Sequence, residues 1–144
     1  MRASGILMPV FSLPSRYGIG SFSKSAYQFV DMLKKAGQKY WQILPLCPTS
    51  YGDSPYQSFS TYAGNPYFID LDQLIEEKLL TRKECQACDF GDDPQDIDYG
   101  KLYENRFKLL RKAYERANVG EDQEFEAYRR ENAWWLDDYA LFMA

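Results

Sequence analysis

The 144-residue chain has no histidine, only three cysteines, and fewer basic than acidic residues. Without histidine, no Ser-His or Cys-His pair that activates a nucleophile can be assembled within it. Cys85 and Cys88 have the spacing of half a zinc site, but Cys47 alone cannot complete four ligands in the absence of imidazole. No metal site is expected. The same pair falls in a stretch of helical character among acidic residues, unlike a redox pair that follows a strand in a thioredoxin-like unit. Seventeen basic against twenty-one acidic residues give a net charge of −4, and no cluster of Lys and Arg interleaved with aromatics offers a strip for phosphates. Nucleic acid is therefore not an expected partner. Apolar runs fall well short of the roughly 20 residues of a membrane span, and the N-terminus lacks a charged region followed by an apolar signal core. No membrane partner and a cytosolic location are expected. Gly18 and Gly20 stand between a strand and a helix, but the third glycine of a dinucleotide loop is missing. They are turn formers, and no cofactor is expected.

Aromatic residues are abundant, at 17% of the chain with twelve tyrosines. They concentrate between Leu44 and Leu71, in the run LPLCPTSYGDSPYQSFSTYAGNPYFIDL. A pyranose presents C–H groups on its faces and hydroxyls around its rim, so a sugar site needs flat rings and hydrogen-bonding groups together. Tyr51, Tyr56, Phe59 and Tyr62 can supply the rings; Asp53, Ser54, Gln57, Ser58 and Ser60 can supply the polar partners. On composition alone an aromatic loop that covers a core accounts for the same residues.

Periodicity gives the frame. Gly5 to Phe11 is a short, nearly continuous apolar run, as in a parallel strand buried on both faces. Ser23 can cap a helix with Ala26, Phe29, Val30, Leu33 and Ala36 on one face and Gly37 as terminator. Tyr40 to Leu46 reads as a second strand, completing a βαβ unit whose strands run parallel. Asp70 or Asp72 can start a further helix, and Thr81 with Glu84 has capping-box spacing for a short one. After the acidic stretch 89–98, Tyr103, Phe107, Leu110, Tyr114 and Ala117 recur at helical spacing, with Gly120 as the expected end. The segment from Trp134 to Ala144 is an apolar helix without a terminating residue, as if interrupted in mid-pattern. No internal repeat or low-complexity segment is present.

The order of the residues is more specific than their composition. Tyr51-Gly52-Asp53-Ser54-Pro55-Tyr56-Gln57-Ser58, then Gly64-Asn65-Pro66-Tyr67, closely resembles the N-terminal region of the amylomaltases, the 4-alpha-glucanotransferases also called disproportionating enzymes. Ser4 to Val10 with Ser12 to Gly20 resembles that family's first strand and following loop, and Trp135 to Phe142 a third motif. The likeness covers essentially the whole chain; 81–131 is less distinctive, and Cys47 stands where glycine is more familiar.

This resemblance implies an α/β fold, the N-terminal part of a (β/α)8 TIM barrel. Strands one and two would lie in 5–46, the substrate loop in 47–69 and an inserted helical subdomain in 70–144. A closed barrel takes about 250 residues, so the barrel is incomplete in this chain. In barrels the loops after strands form the catalytic face, which places 12–20 and 48–65 on the functional side. The implied activity is retaining transfer of an α-1,4-glucan segment to a 4-hydroxyl of glucose or a maltooligosaccharide. Retaining transfer uses two carboxylates about 5–5.5 Å apart, and in this family both lie on later strands. The isolated chain is thus expected to be inactive, with no catalytic residue. By the same resemblance Tyr56 stacks on the glucose beside the scissile bond, Ser54 and Gln57 lie nearby, and Tyr51 makes a neighbouring glucan contact. Asp53, the only carboxylate of the loop, is a candidate nucleophile by type, but one acid among hydroxyls is expected instead to fix the loop or accept from a sugar hydroxyl. The expected partners are α-1,4-glucans, maltooligosaccharides and the remainder of the barrel. A non-catalytic α-glucan-binding module, a degenerate remnant, a subunit completed by a second chain and a related α-glucan hydrolase are the alternative readings.

Overall fold

The computed structural model describes residues 2–93 and 95–144, so residue 94 of the acidic stretch lies outside the described residues. Two short strands, β1 (Gly5–Leu7) and β2 (Tyr40–Gln42), pair in parallel with Gly5 opposite Tyr40 and Leu7 opposite Gln42. Between them runs α1 (Lys24–Lys35). The βαβ unit expected from the sequence is present. Ser23 caps α1 by accepting the Ser25 N–H at 3.3 Å. At its other end Gly37 takes φ +71°, and Gln38 N–H donates back to the Leu33 carbonyl at 3.0 Å. Such a left-handed C′ residue with a six-to-one bond is the Schellman stop.

Both strands are shorter than the apolar runs suggested, and β1 is not buried on both faces. Ile6 and Leu7 are exposed, as is Tyr40 on β2. The run continues past Leu7, but Pro9 opens a 3-10 turn at Val10–Ser12, where Val10 becomes fully buried. An apolar run reports burial of its side chains, and a turn folded into the core produces the same pattern as a strand. Trp41 ties the sheet to this turn by donating its indole N–H to the Met8 carbonyl at 2.7 Å.

After a long loop come α2 (Leu71–Glu76), α3 (Arg82–Gln86), α4 (Tyr99–Ala117) and α5 (Gln123–Met143). Asp70 caps α2, and Thr81 with Glu84 forms the full capping box of α3. Arg116 of α4 grips Glu84 through both terminal nitrogens, at 2.7 and 3.0 Å, and the Leu79 carbonyl at 2.9 Å. These bonds hold the Glu84 carboxyl well below the usual range.

The core joins the turn after β1 (Val10, Leu13, Tyr17, Ile19) to Tyr67, Phe68, Leu71, Leu80, Cys85 and Phe90, and to one stripe of α4. That stripe is Leu102, Arg106, Leu109 and Ala113; of the residues read at helical spacing, Phe107 and Leu110 pack partly buried against the core, whereas Tyr103 and Tyr114 are exposed. The large rings at 103 and 114 drew the pattern outward, and the arginine inside the buried stripe concealed it. Nor does Gly120 end α4. Asn118, at φ +48°, does so two residues earlier, the left-handed conformation that Asn tolerates better than most residues. Gly18 is needed where it stands: its φ is +75°, and a Cβ there would lie 2.7 Å from the Phe90 carbonyl.

Candidate functional site

The loop that leaves β2 is built on its own backbone. Asp53 N–H donates to Ser50 O at 3.0 Å, Gln57 N–H to Ser54 O at 3.1 Å, and Ser50 N–H to Gln57 O at 3.0 Å, closing residues 50–57 into a tight double turn. Gly52 at φ +101° and Asp53 at φ +57° reverse the chain at its tip. A non-glycine residue at positive φ is uncommon, with Asp and Asn among the tolerated types. At the base, Asn65 N–H donates to the Leu46 carbonyl at 2.8 Å, pinching the loop shut. Asn65 also accepts the Tyr67 N–H on Oδ1 at 2.9 Å and so caps the 3-10 turn Pro66–Phe68. Asn65, Pro66 and Tyr67 thus return the chain from the loop to the core.

The four rings proposed from sequence separate into two pairs. Tyr51 is fully exposed and Tyr56 is 72% exposed, and neither has a ring partner among the described residues. Phe59 and Tyr62 instead pack on α5. Phe59 stacks on Tyr139 at 6.4 Å between centroids, and Tyr62 meets Trp134 edge-on at 4.7 Å. Sequence reasoning missed these partners, since nothing local links residues so far apart in the chain.

The polar residues separate in the same way. The Ser58 hydroxyl donates to Ser60 O at 2.6 Å, and Ser60 Oγ accepts from Tyr62 and Ala63 N–H groups, so both serines hold the loop itself. Ser54 Oγ accepts the Tyr56 N–H at 3.4 Å. Gln57 is exposed, and its side chain has no partner among the described residues. Asp53 is half-buried, lining with Thr49, Asn65 and Tyr99 a cavity of about 10 Å³. That volume is close to one water's requirement and far below a sugar ring's. No described group donates to the Asp53 carboxylate, and burial pushes its pKa up. Burial, helped by the Asp53 charge, pushes Tyr67 up to about 12 and also raises Tyr99, a lining residue the sequence did not single out.

Cys85 lies in the core and Cys88 directs its Sγ to the Glu84 carbonyl at 3.6 Å. Burial pushes both thiols up, away from the thiolate a reactive cysteine needs. No group of His, Cys, Asp and Glu among the described residues has the arrangement to hold a metal ion. Among the described residues no helix is long and apolar enough to cross a membrane.

A parallel βαβ unit whose second strand feeds a loop with two free rings defines an α/β chain. The particular family follows from comparison with known proteins. The profile of the 4-alpha-glucanotransferase family matches residues 8–144, and the chain belongs to that family. It is 56% identical to a 4-alpha-glucanotransferase of Clostridium butyricum over 137 residues, 95% of this chain and 28% of that protein. With the Thermus thermophilus 4-alpha-glucanotransferase it shares 48% identity, over 99% of this chain and 28% of that protein. Among solved structures it is similar to an amylomaltase from Streptococcus agalactiae in complex with acarbose. The TM-score is 0.91 at 45% identity, covering 100% of this chain and 29% of the other. The chain thus spans a little over a quarter of the length of the relatives it matches.

Proposed function

We propose that residues 47–69 form the glucan-binding loop of a 4-alpha-glucanotransferase, and that the full-length protein cleaves an α-1,4-glucan and passes the released segment to the 4-hydroxyl of glucose or a maltooligosaccharide. The observation that carries this reading is the pair of free rings, Tyr51 and Tyr56, displayed on either side of the turn at Gly52 and Asp53. Family membership and the acarbose held by the similar amylomaltase support a sugar as the ligand.

Retaining transfer needs a nucleophile and an acid/base about 5–5.5 Å apart. Asp53 is the only carboxylate of the loop between Cys47 and Ile69, so the loop binds and orients, and the carboxylates that break the bond lie elsewhere in the full-length enzyme, within a (β/α)8 barrel that begins with this βαβ unit. Tyr56 stacks on the glucose next to the scissile bond, and Ser54 and Gln57 meet the hydroxyls around its rim. Tyr51 holds a more distant part of the glucan. Asp53 keeps its oxygens for a donor brought from outside the chain. Transfer exceeds hydrolysis only where an acceptor sugar displaces water from the intermediate, and apolar ring faces favour that displacement. Three unpaired cysteines fit a reducing compartment, and we place the enzyme in the cytosol.

The division of labour is tested in the full-length enzyme. Tyr56→Ala lowers the transfer rate at saturating maltotriose, while Tyr51→Ala mainly changes the length distribution of products. Equal effects of the two substitutions on both readouts would sink this assignment.

A further inference from the structure

We propose that Phe59 and Tyr62 are positioning residues that act through Tyr51 and Tyr56: they moor the outer arm of the loop to α5, so that the two free rings are held from α5 as well as from the core. This rests on the glucan-binding reading of the loop. No residue of α5 is buried, and none belongs to the core cluster. Among the described residues no hydrogen bond joins α5 to the loop; those of α5 are internal to it or to its cap at Asp122. What joins them is a ladder of rings. Phe59 lies between Tyr139, nearly parallel at 14°, and Phe142 at 5.9 Å. Tyr62 lies between Trp134 at 4.7 Å and Trp135 at 5.7 Å.

Both partners are prepared for this contact. On α5, Trp135, Tyr139 and Phe142 follow at intervals of four and three, which places them along one helix face. Trp135 lies 5.9 Å from Tyr139, and its indole N–H donates to Asn132 Oδ1 at 3.0 Å, orienting the ring. On the loop, the Ser58 and Ser60 hydroxyls fold 58–63 into a hook by accepting the backbone N–H groups of Ser60, Tyr62 and Ala63. A ring engaged on one side by another ring offers no face there to a sugar. Phe59 and Tyr62 are so engaged; Tyr51 and Tyr56 are not.

The test uses the full-length enzyme with Trp134→Ala, Tyr62→Ala and Tyr62→Phe, reading hydrogen exchange over 47–62 and the kinetics of maltotriose transfer. Trp134 stands on the exposed side of a helix outside the core, so exchange in α2 and α4 should stay at the wild-type rate and report an intact fold. Trp134→Ala and Tyr62→Ala each should speed exchange in the loop about tenfold and raise KM about tenfold with kcat within about twofold, as expected for loss of one or two ring pairs. Their combination should add little, and Tyr62→Phe should behave as wild type, because the contact uses the ring and not the hydroxyl. Unchanged loop exchange in Trp134→Ala would overturn the proposal. So would a raised KM in Tyr62→Ala alone, which would make Tyr62 itself a sugar contact. A wild-type enzyme without transfer would refute the glucanotransferase reading instead, while loop exchange in the variants would still decide the mooring.

Discussion

Removing the Asn65 side chain should loosen the base of the loop by a predictable amount. Asn65 is buried and serves twice: its N–H holds the exit of β2 through the Leu46 carbonyl, and its Oδ1 accepts the Tyr67 N–H at 2.9 Å. Asn65→Ala keeps the first bond and deletes the second. Tyr67 is only 8% exposed, so its N–H is left without an acceptor and out of reach of most solvent. Loss of a cap costs about 0.5–2 kcal/mol and an unsatisfied buried donor about 1–3, and because these are two views of one lost bond, about 1–2 kcal/mol is the expected total. That corresponds to about a 5- to 30-fold change in an opening equilibrium. Native-state hydrogen exchange at the Asn65 and Phe68 amides of the full-length protein reads it directly. Asn65→Ala should exchange about 5- to 30-fold faster, while the amides of α4, which the cap does not touch, should keep their wild-type rate. Wild-type exchange at Asn65 and Phe68 in Asn65→Ala, or equal acceleration throughout α4, would refute the reasoning.

Substitutions at two further positions probe buried charge. Arg106 is 1% exposed, donates to the Ile69 carbonyl, and leaves Nε and Nη1 without partners, while burial pulls its pKa down to about 10. Replacing it with methionine removes those unpaired donors but strands the carbonyl, so Arg106→Met should change unfolding free energy by less than about 1.5 kcal/mol, whereas Arg106→Ala opens a cavity and should cost about 2–5; equal losses in denaturant titrations would contradict this. Burial raises the Asp53 pKa above 3.8, so ionised Asp53 weighs against the folded state above that raised value and ceases to do so once both states are protonated below 3.8. Asp53→Asn should therefore stabilise the protein at pH 7, with the gain fading as pH falls toward 3.8, and should weaken maltooligosaccharide binding; a gain that grows on acidification in pH-dependent unfolding would be the wrong sign.

What was legible in the sequence was local. Ser23, Asp70 and the Thr81/Glu84 pair announce helix starts because a cap is satisfied within three residues. Gly37 announces a stop for the same reason. The family was legible because a long loop motif depends on residue order. The extent of the strands was not, because Val10 is as apolar in a buried turn as it would be in a strand. The buried stripe of α4 was only partly legible, through Phe107 and Leu110, because a buried arginine, held by one distant carbonyl at Ile69, does not look like core. The pairing of Phe59 and Tyr62 with α5 was invisible, since aromatic character alone does not distinguish a ring displayed to ligand from one packed on a distant helix. Only three-dimensional neighbours separate Tyr51 and Tyr56 from the other two rings.

The central claim is that this loop belongs to an enzyme that transfers glucan segments. Incubating the full-length protein with maltotriose and isotope-labelled glucose, then separating the products, tests it most directly. The account predicts label in a ladder of maltooligosaccharides with little net gain of reducing ends. Label confined to glucose, with reducing ends rising or no change at all, would contradict it.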